Sequence, residues 1–160
     1  MRKIKISISA SVFNDLAELS FEDRTLMDKA IGARKKAYAP YSKFNVGAAL
    51  LLENNEIVTG NNQENAAYPS GMCAERVAIW KAGSDYPNVK ILQLAISASS
   101  SNSKVDKPVG PCGACRQSLS EYEIKQKQPF PILFMGEVGE IIKTASLDSL
   151  LPFSFDSSYL

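Results

Sequence analysis

Cys73-Ala74-Glu75-Arg76 opens one helical pattern and Pro111-Cys112-Gly113-Ala114-Cys115 opens another, with the mainly apolar run Ile91 to Ala98 between them. The first pattern predicts a helix from about Cys73 to Lys81, ended near Gly83. The second predicts a helix that Pro111 starts and that runs to about Ile124. Upstream, Phe44 to Leu52 reads as a buried strand, and Glu53-Asn54-Asn55-Glu56 turns it into Ile57-Val58-Thr59 as a hairpin. Downstream, Pro131 to Met135 is a further strand, with Val138 to Lys143 as its partner. Ser20 is an N-cap ahead of Phe21-Glu22-Asp23, and Leu26, Ala30, Ala33 and Ala37 share a face that Met27, Ile31 and Tyr38 widen until Pro40 stops the run. Ile4, Ile6 and Ile8 alternate with polar residues as a strand does. Strands alternating with helices and hairpins at both ends predict an α/β fold, a mixed sheet covered by helices.

Composition narrows the function. The chain has 160 residues, 45% of them hydrophobic and 22% charged, which suits one domain with a real core. Its 18 Lys and Arg against 17 Asp and Glu leave a net charge of +1. That balance supplies no field to gather nucleic acid or to coat an anionic membrane. The short basic clusters Arg2-Lys3-Lys5 and Arg34-Lys35-Lys36 read as solvated faces. No apolar run approaches the ~18 residues of a membrane span, and the opening residues alternate instead of forming a signal-peptide core. The expected compartment is the cytoplasm.

Three cysteines and no histidine decide the chemistry. An odd number argues against a closed disulfide framework. Without imidazole, every Ser-His and Cys-His catalytic arrangement is excluded. Cys112 and Cys115, three apart at a helix start, share a face, and Cys73 opens the earlier helix. Helix N-termini favour thiolates, and thiolates suit zinc. Three ligands leave the fourth tetrahedral position to water, as in a catalytic and not a structural site. Glu75 reaches the same pocket if Cys73 sits at the cap, before helical geometry begins, and a carboxylate there can take and return the proton of the water. Three thiolates and one Zn²⁺ sum to −1, and Arg76 is the side chain available to offset that charge. Taken singly, a CxxC is often redox-active and a lone cysteine is usually core.

Several ordered motifs together resemble a known family. Ala37-Tyr38-Ala39-Pro40-Tyr41-Ser42-Lys43-Phe44, Val46-Gly47-Ala48-Ala49-Leu50, Asn62-Gln63-Glu64-Asn65-Ala66-Ala67-Tyr68, Cys73-Ala74-Glu75-Arg76, Pro111-Cys112-Gly113-Ala114-Cys115-Arg116-Gln117 and Leu150-Leu151-Pro152-Phe153-Ser154-Phe155 resemble the small homotetrameric cytidine deaminases. Cys-Ala-Glu followed by Pro-Cys-x-x-Cys is a recurring signature of zinc deaminases. The resemblance implies a three-layer α/β/α fold around a mixed, about five-stranded sheet. The expected organisation is one domain over residues 1–160: a core of 21–160 and an N-terminal extension of 1–20, with Lys3 to Ile8 as an extra edge strand. It implies one zinc per subunit on Cys73, Cys112 and Cys115, Glu75 as the catalytic proton carrier, and hydrolytic deamination of cytidine and deoxycytidine with release of ammonia. Asn62 and Glu64 would recognise the sugar, Phe44 would lie against the pyrimidine, and the Ala74 N–H would hold the O2 carbonyl. Phe155 would enter the active site of a neighbouring subunit in a homotetramer. Gln63, where the family usually has an apolar residue, and Pro69-Ser70-Gly71 depart from the pattern. The nearest rival is deamination of another small cytosine compound such as blasticidin S. A nucleic-acid-editing enzyme, a zinc-stabilised interaction module and a redox protein on Cys112 and Cys115 are further alternatives.

Overall fold

The computed structural model describes residues 1–160. Six strands form one sheet: β1 (Ala10–Phe13), β2 (Phe44–Leu52), β3 (Ile57–Asn61), β4 (Ile91–Ser100), β5 (Ile132–Met135) and β6 (Ile141–Thr144), in the spatial order β1-β6-β5-β4-β2-β3. Only β4 and β5 pair in parallel; every other pairing is antiparallel. Three helices cover it: α1 (Phe21–Arg34), α2 (Ala74–Asp85) and α3 (Gly113–Gln126). Leu26, Met27 and Ala30 of α1 pack with Ala49, Ala95 and Leu133 in one core. Ala78, Ile79 and Leu119 of α2 and α3 pack with Leu50, Leu94 and Ile132 in the other. The alternate residues of each central strand therefore feed opposite layers, which is why these strands are apolar throughout and not alternating. The molecule is the expected three-layer α/β/α arrangement, with a six-stranded mixed sheet in place of about five strands.

The extra strand is the first correction. Lys3 to Ile8 belongs to no strand, and the edge is formed instead by Ala10–Phe13 on β6. Ala10 faces Thr144, after which the chain leaves the sheet for a short 3₁₀ turn at Leu147–Ser149. Residues before Ala10 therefore run past the end of their partner, and Ile4, Ile6 and Ile8 are exposed. Helix α1 is the second. It begins as expected, with the Ser20 hydroxyl accepting the Asp23 N–H, but it ends at Arg34, short of Ala37 and Tyr38. Tyr38 is drawn into a β-bridge with Gln63, through Tyr38 N–H to Asn62 O and Glu64 N–H to Tyr38 O. The third helix starts at Gly113 and not at Pro111, with Cys112 at the N-cap.

Buried polar groups tie the layers. The Arg34 guanidinium donates to Ser97 Oγ at 2.8 Å and to the carbonyls of Ala98 and Gly136, joining the end of α1 to the ends of β4 and β5. Burial pushes its pKa down. Asp23 of α1 is buried and paired with Lys143 of β6 at 2.7 Å.

The topology fixes where α2 and α3 begin. Both β3 and β4 run antiparallel to β2 and hence parallel to each other. Helix α2 follows β3 and α3 follows β4, so both N-termini lie at the same edge of the sheet. Gly60 on β3 brings α2 close: a Cβ there would lie 2.4 Å from Ala74 O and 2.5 Å from Ala78 N. Gly47, one position before Gly60's partner Ala48 on β2, does the same for α1, with Ala30 O at 2.1 Å from its Cβ position. Gly60→Ala is therefore expected to cost about 1–3 kcal/mol, as overpacking does. Gly32→Ala, with nothing within 4 Å of its Cβ position in α1, is expected to gain about 0.5–1 kcal/mol from helix entropy. Thermal melting of both variants checks the contrast.

Candidate metal centre and adjoining pocket

Cys73 is the N-cap of α2 and Cys112 the N-cap of α3; both have extended backbones, and neither side chain caps its own helix. The sulfurs are thus free to face one point. Cys73 Sγ and Cys112 Sγ are 3.9 Å apart, Cys112 Sγ and Cys115 Sγ 3.4 Å, and all three lie within 4.8 Å of one another. Zinc–sulfur bonds of about 2.3 Å at tetrahedral angles put sulfurs about 3.8 Å apart, and a disulfide needs about 2 Å. The spacing therefore fits three thiolate ligands on one zinc and fits no disulfide. Cys115 is buried, Cys73 half-buried and Cys112 exposed, so the triad sits at the floor of an opening.

Glu75 stands two residues into α2 from the Cys73 cap and is buried. It enters no salt bridge. Desolvation first, and the neighbouring Cys73 charge after it, push its carboxyl up to about 7. The Cys73 thiol is drawn down to about 5, first by its interaction with the Cys115 thiol and further by Arg76. Cys115 is pushed up by that same interaction with Cys73 and by burial. Arg76 Nη2 lies 3.6 Å from Cys73 Sγ, and its guanidinium rests 5.8 Å from the Trp80 ring centre one turn on. Its Nε is buried without a partner. The Ala74 N–H, at the first position of α2, donates to no backbone carbonyl.

A cavity of about 460 Å³ opens beside the sulfurs, lined among others by Tyr41, Asn62, Glu64, Met72, Cys73 and Arg76. That size suits a small organic ligand. A smaller cavity of about 280 Å³ between the ends of α2 and α3 has neither a cysteine nor a carboxylate in its lining.

The remaining sequence-selected residues fall into two groups. Asn62 follows the last pairing of β3, and its amide continues the ladder: Oδ1 accepts the Val46 N–H at 2.8 Å and Nδ2 donates to Phe44 O at 2.9 Å. Phe44, half-buried at the start of β2, is held by that bond and lies between Ser42 and Asn62 in the bonding network, both of which line the pocket. Glu64 Oε2 accepts the N–H groups of Tyr41 and Ser42. Gln63 bridges Tyr38 and Met72 through its backbone, and its exposed side-chain amide donates to Asn61 Oδ1. Pro69-Ser70-Gly71 completes a 3₁₀ turn at Tyr68–Ser70, closed by Gly71 N–H to Tyr68 O. Phe155 is not brought to this pocket: it is exposed, stacked on Tyr159 at 5.6 Å, and its carbonyl is tied to Gln117 of α3. The sequence reading gave no role to Tyr41 or Ser42. A serine two residues before a strand start, able to bond the backbone N–H at i+2, was the available signal.

Comparison with known proteins agrees with this geometry. The model of the cytidine and deoxycytidylate deaminase zinc-binding region matches residues 20–128. A cytidine deaminase of Halalkalibacterium halodurans is 38% identical over 130 residues, covering 81% of this chain and 91% of that protein. One from Sporosarcina psychrophila is 43% identical over 129 residues, covering 80% of this chain and 87% of that protein. The 1.6 Å crystal structure of cytidine deaminase from Burkholderia pseudomallei superposes with a TM-score of 0.71 at 34% identity, over 86% of this chain and 100% of that one. With three sulfurs at zinc spacing, a buried glutamate beside them and these relatives along most of its length, the chain belongs to the zinc-dependent cytidine deaminase family.

Proposed function

We propose that this protein is a cytidine deaminase that hydrolyses cytidine and deoxycytidine to uridine and deoxyuridine, with water replacing the C4 amino group and ammonia leaving. The observation that carries it is the buried Glu75 carboxyl two residues from a thiolate of the zinc triad, between Cys73 and Arg76, which line a nucleoside-sized cavity. The zinc ion that Cys73, Cys112 and Cys115 would hold supplies the Lewis acidity that makes a water nucleophilic at neutral pH. Glu75 accepts the proton of the attacking water, passes it to N3 of the ring, and then carries a proton to the departing amino group. Burial raises the Glu75 carboxyl above the ordinary carboxylate range, which favours its taking and returning a proton instead of staying a fixed anion. Arg76 offsets the negative sum of three thiolates and a dication, so that the metal keeps its acidity; its approach to Cys73 Sγ supports that role.

The Ala74 N–H, unused by the helix, would hold the O2 carbonyl, and Phe44 would lie against the pyrimidine. Asn62 and Glu64 would meet the sugar, Glu64 as acceptor for the 3′-hydroxyl. Such chemistry belongs to pyrimidine salvage in the cytoplasm. No helix is long and apolar enough to cross a membrane. We read residues 1–160 as one catalytic domain, residues 1–20 being its extension.

The assembly we propose is a homotetramer in which Phe155 enters a neighbour's active site. Phe153, Phe155 and Tyr159 are all exposed on a C-terminal segment held to α3 near the metal ligands by Arg116 and Gln117. Exposed aromatics concentrated in one segment are what an interface requires.

Glu75→Gln is expected to keep one zinc per subunit and to lose about 10²–10⁴-fold in kcat, the scale of general acid–base catalysis. Metal analysis and the fall in cytidine absorbance measure both; undiminished turnover would remove Glu75 from the mechanism. Arg76→Ala should retain zinc while kcat falls about tenfold or more, if one removed charge weakens the metal's acidity by at least one pKa unit. Unchanged kinetics would rule out the charge-balancing role. Light scattering is expected to give four times the 17.5 kDa subunit mass. Mixed assemblies of Glu75→Gln and Phe155→Ala subunits should regain activity that neither variant has alone; no recovery would sink the shared site.

A further inference from the structure

Glu64 is held more firmly than a sugar-binding carboxylate at the rim of an open pocket needs to be. Its Oε2 accepts the Tyr41 N–H at 2.9 Å and the Ser42 N–H at 3.3 Å. Its Oε1 accepts the Ser42 hydroxyl. That hydroxyl itself accepts the Phe44 N–H at 3.0 Å. A serine hydroxyl carries a single proton. With the Phe44 N–H pointing at its oxygen, the proton of Ser42 is directed to Glu64, and an ionised carboxylate can only accept. The direction of every bond in the chain from Phe44 to Glu64 is thereby fixed. The Ser42 bond is the leading cause of the lowered pKa of Glu64, with the two amides and Lys43 adding to it.

The loop that carries Ser42 is anchored on both sides. Lys43 N–H donates to Ala39 O at 3.1 Å, Ser101 N–H donates to Lys43 O at 3.0 Å, and Asn102 Nδ2 donates to Ser42 O at 3.4 Å. Lys43 holds φ at 57°, in the left-handed region. A carboxylate offers about four acceptor positions. Three are taken by Tyr41 and Ser42, which leaves one for a ligand and sets its direction.

We propose that Ser42 is a positioning residue for sugar recognition, aiming the Glu64 carboxylate at the 3′-hydroxyl of the nucleoside and so setting discrimination against sugars without that hydroxyl. This rests on the reading of Glu64 as the 3′-hydroxyl acceptor. The second bond of the Ser42 hydroxyl reaches the N–H of Phe44, a residue that the Asn62 amide and the pairing with Ser100 hold independently, so Phe44 keeps its place when the hydroxyl is removed. Removing it leaves both amides on Oε2. Glu64 then stays ionised and near its place but can turn about that oxygen, so binding suffers while the chemistry at Glu75 does not.

The test uses the zinc-loaded enzyme and two substrates that differ only at the 3′ position, 2′-deoxycytidine and 2′,3′-dideoxycytidine. Wild type is expected to prefer the former clearly. Ser42→Ala should lower kcat/KM for deoxycytidine about five- to fifty-fold, through KM, as loss of one hydrogen bond to a charged group does. It should leave the dideoxy substrate almost unaffected. Ser42→Thr, which keeps the hydroxyl, should restore discrimination, and Ser42→Cys, with a weaker donor of similar size, should be intermediate if the alanine variant folds poorly. Equal losses on both substrates, or none on either, would overturn the role of Ser42. Wild type that treats the two substrates alike would instead overturn the reading of Glu64 on which it rests, and Ser42's role with it.

Discussion

Three sulfurs from two helices meet within a few ångströms because both helices begin at the same edge of one sheet. Strands β3 and β4, parallel to each other on either side of β2, deliver the chain to that edge twice, and each time a cysteine takes the N-cap. The closeness of the meeting is set by Gly60, whose missing side chain lets the first turn of α2 lie directly on β3. Packing in a protein interior leaves little room to absorb a displaced turn. Cys73, the Ala74 N–H, Glu75 and Arg76 all ride on that turn, so the contact at Gly60 positions a ligand, a proton carrier and a counter-charge together.

The N-cap positions also explain the electrostatics. A cap residue lies just outside the helix, where the unpaired N–H groups and the positive end of the helix dipole favour an anion. Two such ends face the triad, and Arg76 adds a full charge against Cys73 Sγ. Burial works in the opposite sense on Glu75, raising its carboxyl toward neutrality. Cys73 and Glu75, two residues apart on one turn, are therefore tuned in opposite directions, one to hold a metal as an anion and the other to carry protons.

The other wall of the pocket is built by side chains that imitate backbone. Asn62 extends the β2–β3 ladder with its amide, bonding the carbonyl of Phe44 and the N–H of Val46. Ser42 bonds the Phe44 N–H. Phe44, the first residue of β2, is thus clamped on both of its backbone groups by residues that also line the cavity.

Much of this was legible in the residues alone. A chain with three cysteines and no histidine has few ways to build a reactive centre, and the spacing of Cys112 and Cys115 together with Cys73-Ala74-Glu75 pointed to an open zinc site. The strands β2 to β5, the hairpin turn and the Ser20 cap followed from local patterns because propensity, capping and apolar runs act over a few neighbours. What the sequence misread depended on partners far along the chain. Ile4, Ile6 and Ile8 alternate like a strand but run past the end of β6 and find nothing to pair with. Ala37 and Tyr38 fit a helical face but are claimed by the bridge to Gln63. The roles of Gly60 and Ser42 came only from the tertiary structure, since one is defined by the helix that lies on it and the other by a carboxylate 22 residues away. The residue types thus determined which chemistry was available, and long-range packing, which no local pattern encodes, decided how closely those residues meet and in which direction each one points.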